Sequence, residues 1–164
     1  MRLEIRREAE EDFRAVEEVT REAFWNLHVP GCDEHYLVHA LREHPDFLPE
    51  LDFVDVHSAE IVGSILYSRS RVEDVPTITF GPVSVLPVYQ RMGVGSALIR
   101  HTLSLAKELG HRAVLIYGSP HYYPRFGFQP GKRFEIRTSD NMYAAALQAL
   151  ELYRGALKGV SGRF

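Results

Sequence analysis

The sequence has a single cysteine among its 164 residues, Cys32, which excludes an intramolecular disulfide. It contains no apolar run approaching the ~20 residues of a membrane span, and its charged start is unlike a signal peptide. It also lacks an excess of basic residues, because the formal net charge is −3. A negative balance argues against broad nucleic-acid binding. These absences predict a cytoplasmic protein that acts neither in a membrane nor on nucleic acid.

The composition is that of an ordinary globular domain. Hydrophobic residues make up 45% of the chain and charged residues 25%, and the length suffices for a sizeable core. We find no internal repeat, linker or low-complexity segment. We therefore predict a single domain over residues 1–164.

Hydrophobic periodicity divides the chain into strands and helices. Alternation at Leu3 and Ile5 indicates a short first strand, and helical spacing takes over from about Glu10 and ends before Val29. A second helix, with Asp33 as its N-cap, should follow to Arg42. The later pattern predicts strands at 51–57, 61–71 and 75–85, a helix that ends near residue 109, and a buried strand at 113–117.

Two features of the 79–98 stretch predict a binding site. Gly81 and Pro82 interrupt a strand where a regular ladder tolerates neither well, which indicates a bulge. The segment after the strand carries Gly93 and Gly95 at the start of a helix, where backbone N–H groups attract anions. This loop is suited to a phosphate or pyrophosphate, and the simpler alternative is a plain loop-to-helix turn.

These residues resemble the GNAT superfamily of N-acetyltransferases. Residues 90–95 match its signature Gln/Arg-x-x-Gly-x-Gly/Ala, and Tyr123 stands four residues before the Gly127-Phe128 pair, as a family Tyr does. The stretches GPVSVLPVYQ, YYPRFGF and GALKGVSGRF together look like its YhbS-like branch. The resemblance implies an α/β fold with a mixed, mostly antiparallel sheet of six or seven strands and about four helices. It also implies a final strand within 142–153, where propensity alone predicts a helix.

The resemblance implies an acetyl-CoA-dependent enzyme that transfers an acetyl group directly to a primary amine of a small molecule or peptide. Backbone groups of Val83 and Val85 would bind the pantetheine arm, and one N–H would hold the oxyanion. Tyr123 would protonate the leaving thiolate as a general acid; packing against neighbouring aromatic residues is its alternative role. The pyrophosphate would lie against a run of seven residues: Gln90, Arg91, Met92, Gly93, Val94, Gly95 and Ser96.

The same resemblance places the acceptor between the first two helices and the late loops. The residues there mix aromatic and acidic side chains, which suits an amine. Core aromatics with a solvated charged face are the alternative. The candidate acceptor residues are Phe24, Trp25, His28, Asp33, His35, Tyr36 and Tyr122.

Two departures from the family pattern concern proton transfer. Many members carry a Glu on the fourth strand and an Asn after the fifth, whereas residues 77–85 hold no carboxylate and Gly118-Ser119 follows the fifth strand. Glu73, Asp74, His121 or a water chain could then accept the amine proton. The missing Glu leaves open a second function, a non-catalytic acyl-CoA-binding sensor or partner domain.

Three further motifs were considered as possible functional sites. A nucleotide-phosphate enzyme would need the Lys-Ser/Thr of a P-loop or the third Gly of a dinucleotide fingerprint, which the loop lacks. His35 and His39 have helical spacing but no accompanying Glu motif, so we predict no metal, and Cys32 is interpreted as an ordinary thiol. Sheet edges and exposed aromatics are compatible with a homodimer.

Overall fold

The computed structural model describes residues 3–164, which form nine strands and three α-helices. The strands are β1 (Glu4–Arg7), β2 (Phe53–His57), β3 (Glu60–Val72), β4 (Val75–Val85), β5 (Ala113–Tyr117), β6 (Gln129–Pro130), β7 (Ile136–Arg137), β8 (Leu147–Glu151) and β9 (Gly162–Arg163). The helices are α1 (Phe13–Phe24), α2 (Glu34–Arg42) and α3 (Val94–Glu108).

Seven of these strands form one sheet, in the order β1-β2-β3-β4-β5-β8-β6. Strands β1 and β2, β2 and β3, β5 and β8, and β6 and β8 pair antiparallel. Strand β4 pairs parallel with β5, where Ile78 lies opposite Val114. The predicted mixed, mostly antiparallel sheet is confirmed. In the described chain, three α-helices and several short 3-10 turns stand where about four helices were expected.

The chain forms two compact units that divide within β3, β4 and α3. The first comprises the chain up to Tyr67 together with Gly81–Thr102, and the second comprises Ser68–Phe80 and Leu103–Phe164. In the first unit, apolar side chains of α1 and α2 pack against β2 and β3. This core contains Val16, Val38, Val54, Val56 and Leu66.

A bulge in β3 anchors the end of β4 within the first unit. Asp55 pairs with Gly63 but its neighbour Val56 pairs with Ile61, so Val62 is an extra residue. The carbonyl of Val62 accepts a hydrogen bond of 2.9 Å from the N–H of Leu86, which directly follows β4. No sequence pattern predicted this bulge.

Strand β4 is itself irregular. The hydroxyls of Ser70 and Thr77 bond at 2.8 Å across the β3–β4 hairpin, and farther along Leu86 bonds Val62. Between these two contacts β4 contains one residue more than β3, as a bulge in β4 requires. Gly81 lies in this interval with φ +148°, a conformation that other residues rarely adopt. This count agrees with the irregularity predicted around Gly81.

A cluster of charges is buried in the first unit. The Arg42 guanidinium bonds both oxygens of Glu8, at 2.8 and 3.1 Å, and both side chains are almost wholly buried. Asp52 is 3% exposed, and its Oδ1 has no hydrogen-bond partner among the described groups. Desolvation, and then the charge of Glu8, raise the pKa of Asp52 to about 8. Sequence patterns did not predict this cluster.

The second unit has its own core between β5, β8 and the C-terminal segment. Its buried side chains include Val72, Ala113, Leu115, Ile136, Leu147, Ala149, Leu157 and Val160. The resemblance was right to place a strand within 142–153, and helix propensity was wrong there. Because β8 pairs with β5 on one side and β6 on the other, tertiary contacts override the local preference.

Several predicted boundaries shift. Helix α1 ends at Phe24, before the predicted stop, and Asp33 occupies the N-cap position of α2 without a capping hydrogen bond from its side chain. The strand predictions at 75–85 and 113–117 are confirmed as β4 and β5. Among residues 3–164, no helix combines the length and apolar character needed to cross a membrane.

Candidate functional site

Hydrogen bonds fix the loop between β4 and α3 at its start. The Gln90 side-chain amide donates to the Val85 carbonyl at 3.1 Å, and Leu86 is bonded to the β3 bulge. A 3-10 turn, Pro87–Tyr89, connects these two anchors. The side chain of Gln90 therefore ties the predicted cofactor loop to the end of β4, which is a positional role that the sequence did not reveal.

The loop itself is exposed and ends at the N-terminus of α3. Arg91 and Gly93 both have positive φ, +64° and +87°. Helical bonding begins with the Ala97 N–H, which donates to the Gly93 carbonyl at 3.0 Å. Val94 and Gly95 therefore lie in the first helical turn, where backbone N–H groups have no intrahelical acceptor. Such a helix start can attract an anion, and the binding role of residues 90–96 stays a prediction.

A glycine on β3 sets the position of this helix end, and the sequence analysis missed it. A Cβ on Gly63 would lie 2.6 Å from Val94 Cγ1 and 3.1 Å from Leu98 Cδ1. Any larger residue would therefore push the first turn of α3 away from the sheet. A lone glycine inside a strand is a sequence signal for such a close approach.

The two valines predicted to bind the pantetheine arm are half-buried on β4. Between them, Ser84 donates to the Thr20 hydroxyl of α1 at 3.1 Å. Since successive side chains of a strand point to opposite faces, those of Val83 and Val85 point away from α1. The Val85 carbonyl accepts one hydrogen bond from Gln90, which leaves its second lone pair and the Val85 N–H as the groups that the predicted role would use.

Tyr123 lies in the second unit, in a cluster of aromatic rings. It begins a 3-10 turn, Tyr123–Phe126, and its ring centroid is 5.9 Å from those of Phe80 and Phe128 and 5.0 Å from that of Tyr122. Burial, and then the neighbouring Tyr122, raise the pKa of the Tyr123 phenol. The phenol thus keeps its proton at neutral pH, as a hydrogen-bond donor or general acid requires.

Gly118 makes room for this ring and was also missed as a functional residue. A Cβ there would overlap the Tyr123 ring, closest to Cε2. The family pattern drew attention to the absent Asn at this place, whereas the close approach of the ring depends on how the turn between Gly118 and Tyr123 folds, which the sequence does not display.

The candidate acceptor residues have different surroundings. The rings of Phe24 and His28 are 6.4 Å apart near the end of α1, and His28 lines a shallow hollow of about 430 Å³. Trp25 lines a different cavity, and Tyr36 on α2 is 70% exposed. Tyr122, in the second unit, packs its ring under the Arg125 guanidinium at 4.3 Å.

The cavity that contains Trp25 has acidic walls. It measures about 550 Å³ and is lined by Glu18, Arg21, Glu22, Trp25 and Pro87. A second cavity of about 400 Å³ shares Glu18 and Glu22 and continues along α1 to Asp12 and Glu60. The guanidinium of Arg21 stacks over the Trp25 ring at 4.7 Å, and Arg6 pairs with Asp12. The groove along α1 therefore has an excess of negative charge.

The three base candidates differ in their surroundings. The carboxylate of Glu73 accepts the backbone N–H of Arg163 at 2.8 Å, which joins the β3–β4 turn to β9. Asp74 and His121 are exposed, and the backbone N–H of His121 donates to the Ser119 hydroxyl. Glu73 thus has a structural function that accounts for its position, and the base is not identified by geometry.

The two histidines of α2 have separate partners. His35 Nδ1 lies 3.3 Å from Cys32 Sγ, whereas His39 Nδ1 lies 2.8 Å from Glu17 Oε1. Within residues 3–164, no group of three or more His, Cys, Asp or Glu side chains has the geometry of a metal site.

Comparison with protein families gives a direct match. A model described as the acetyltransferase (GNAT) family matches residues 8–128, more than half of the chain. The uncharacterized N-acetyltransferase YhbS of Escherichia coli is 30% identical over 131 residues, which cover 79% of this chain and 78% of that protein. The uncharacterized N-acetyltransferase YjhQ of the same species is 36% identical over 98 residues, and this match spans only 54% of its length.

Solved structures of GNAT proteins have a similar fold. The crystal structure of E. coli YhbS in complex with CoA superposes with a TM-score of 0.89 at 27% identity, covering 99% of this chain and 88% of that one. A GNAT family acetyltransferase from Brucella melitensis, in complex with acetyl-CoA, gives a TM-score of 0.75 at 28% identity, with 92% and 88% covered.

Proposed function

This chain belongs to the GNAT acetyltransferase family, and on that premise we propose that it transfers the acetyl group of acetyl-CoA directly to a primary amine. The observation that carries the proposal is the anchored loop before α3. Gln90 and Leu86 hold its start, and the helix that follows offers backbone N–H groups. Two solved relatives bind CoA or acetyl-CoA.

Gly95 supports a bound ligand at this loop. It lies inside α3, where glycine costs about 1 kcal/mol relative to alanine, and it is not among the glycines with positive φ. Backbone conformation therefore does not require glycine here. A close approach of a pyrophosphate to the helix end does, since a side chain at this position would occupy the space above the first turn.

The proposed chemistry uses Tyr123 and the backbone of β4. The amine nitrogen attacks the thioester carbonyl, and an N–H of Val83 or Val85 stabilises the oxyanion that forms. When the C–S bond breaks, the Tyr123 phenol donates its proton to the thiolate sulfur. The acceptor ammonium loses one proton before the attack, and its nitrogen loses a second as the tetrahedral intermediate collapses to the amide. Both protons leave to solvent or to a carboxylate or His, and the phenol is reprotonated from water.

The acidic groove along α1 suits an acceptor that carries positive charge. Glu18 and Glu22 face both cavities, and among the described residues that line the 550 Å³ cavity the basic side chain is Arg21, which stacks on Trp25. A cationic amine would be attracted by the carboxylates and could pack on the indole ring. We therefore propose that the acceptor is a cationic amine, either a small molecule or a basic peptide.

Calorimetric titration with acetyl-CoA tests the binding step, with NAD and ATP as controls. We expect binding of acetyl-CoA alone, and a gain of about 2.7 kcal/mol in the free energy of unfolding when the ligand is at 100 times its Kd. Amine-dependent release of free thiol then tests transfer. Binding without release for a panel of cationic amines would favour the sensor function, and no binding would refute both.

The variant Gly95→Leu separates binding from folding. Leucine should stabilise the helix by up to about 1 kcal/mol, because it is a better helix former than glycine. We expect the protein to unfold at an equal or higher temperature while its affinity for acetyl-CoA is lost. Unchanged affinity would show that the loop is only a turn.

A further inference from the structure

Gln148 is a buried polar side chain to which the sequence assigned no role. It lies on β8, opposite Ile116 of β5 and Pro130 of β6, and is 1% exposed. Its Nε2 donates to the Gly118 carbonyl at 3.0 Å and to the Ser119 carbonyl at 3.2 Å. One amide group therefore bonds two consecutive carbonyls where the chain leaves β5.

The Ser119 carbonyl connects Gln148 to Tyr123. It also accepts the backbone N–H groups of Tyr122 and Tyr123, at 3.2 and 3.3 Å. Gly118, the other residue bonded by Gln148, lies directly under the Tyr123 ring and is itself held by its N–H to the Ala146 carbonyl at 2.9 Å. The position of the phenol thus depends on the turn whose carbonyls Gln148 holds.

The chemistry of this place explains the residue type. Gly118 is half-buried and Ser119 is exposed, and a primary amide supplies two N–H groups in one plane, enough for the carbonyls of both residues. An apolar side chain of similar volume would leave two acceptors without this donor. An ionised carboxylate would face them with an acceptor of its own.

We propose that Gln148 is a positioning residue for acetyl transfer, which holds the turn at residues 118–119 in the form that presents the Tyr123 phenol to the leaving sulfur. This inference depends on the role proposed for Tyr123. It assigns to β8 a function in the reaction beyond its place in the sheet.

The test compares Gln148→Met with Tyr123→Phe and with the double variant. We expect Gln148→Met to lower kcat by roughly 10- to 100-fold while the KM for acetyl-CoA changes less than about twofold, since a small misplacement of a reacting group has effects of this size. In the Tyr123→Phe background, the same substitution should cause little further loss. Gln129→Met on neighbouring β6 is the matched control and should leave kcat unchanged.

Additive losses would overturn the proposal, because a purely structural role does not depend on the phenol. An unchanged kcat in Gln148→Met, beside a lowered one in Tyr123→Phe, would also overturn it and leave the proposed function intact. If Tyr123→Phe itself keeps full turnover, both this inference and the role of Tyr123 are wrong.

Two further measurements do not depend on the activity of Gln148→Met. In Gln148→Glu, the kcat relative to wild type should rise as the pH falls, because a protonated carboxyl can again donate to one carbonyl; a flat ratio would argue against the donor role. In tyrosine-labelled protein, the NMR resonance that Tyr123→Phe removes identifies Tyr123. That resonance should move in Gln148→Met, and an unmoved one would refute the proposal even without turnover.

Discussion

The glycine loop before α3 (residues 90–95) and the tyrosine turn after β5 (residues 118–123) are held in place by different interactions. Main-chain and amide hydrogen bonds fix the loop, its side chains are exposed, and its candidate binding groups are backbone N–H groups. Aromatic rings surround Tyr123, and a buried amide holds the turn before it. A site made of backbone needs glycine and a helix start, whereas a site made of one side chain needs a shaped cavity around it.

Because the two segments are held differently, we expect substitutions in them to affect cofactor binding and turnover separately. The largest effect on turnover is expected from Tyr123→Phe. We expect kcat to fall by about 100-fold or more, as loss of a general acid does, with the affinity for acetyl-CoA unchanged. Steady-state kinetics and calorimetry measure the two quantities.

Tyr117→Phe is the matched control for this prediction. Burial raises the pKa of Tyr117 as well, but its ring packs against Phe164, outside the Tyr123 cluster. It should retain wild-type kcat. Equal losses in both variants would mean that the effect arises from packing and that Tyr123 has no special role.

The same difference explains what the sequence could and could not predict. The loop was predictable because Gly93, Gly95 and the helical period after them are local signals, and the strands at 75–85 and 113–117 were equally local. The supports of Tyr123 were not, because Phe80 and Gln148 are distant from it in the sequence, and Gly118 meets its ring only through the fold of the turn between them. Strand β8 required the family resemblance, since its pairing with β5 and β6 outweighs the preference of its alanines and leucines for a helix.

A second prediction tests the loop through two glycines of similar conformation. Gly93 and Gly110 flank α3 with φ +87° and +85°, and a Cβ on either would meet open space. Alanine at both positions should cost similar stability, about 1 kcal/mol, from the unfavourable φ. Only Gly93→Ala should also weaken acetyl-CoA binding, by about tenfold, because it distorts the loop that presents the N–H groups.

Calorimetry and thermal unfolding of both variants check this prediction. If Gly110→Ala weakens binding as much as Gly93→Ala, the loss reflects general destabilisation of α3. The loop would then have no closer connection to the ligand than the far end of the helix.

A third and smaller effect should appear only in the binding of the acceptor amine. Glu22→Gln removes one carboxylate from the groove along α1, and we expect the KM for a cationic amine to rise by up to about fivefold, the value of an exposed ion pair. The kcat and the affinity for acetyl-CoA should not change. Glu108→Gln, with the same change of charge at the end of α3, is the control. A KM for the amine that stays constant would remove the groove from the acceptor site.

The smallest effect on the reaction is expected from the buried charges around Arg42, because the described partners of its guanidinium are Glu8, Phe13 and Glu17 of the first unit. The pKa of Asp52 is raised to about 8, so its neutral form is favoured by folding. Its contribution to the free energy of unfolding is complete below its ordinary pKa and is lost as the pH rises to about 8. Asp52→Asn stays neutral, so its unfolding temperature should fall less than that of wild type between pH 5 and pH 9.

We expect the two unfolding temperatures to differ by at least about 2–4 °C at pH 9, which corresponds to about 1 kcal/mol in a protein of this size. At pH 7, Asp52→Asn should bind acetyl-CoA and turn over as wild type does. Parallel unfolding curves across this pH range would mean that Asp52 is already ionised in the folded protein, matched by Arg42. A change in kcat at pH 7 with unchanged stability would instead mean that the buried charges around Arg42 influence the reaction. They could then no longer be treated as purely structural.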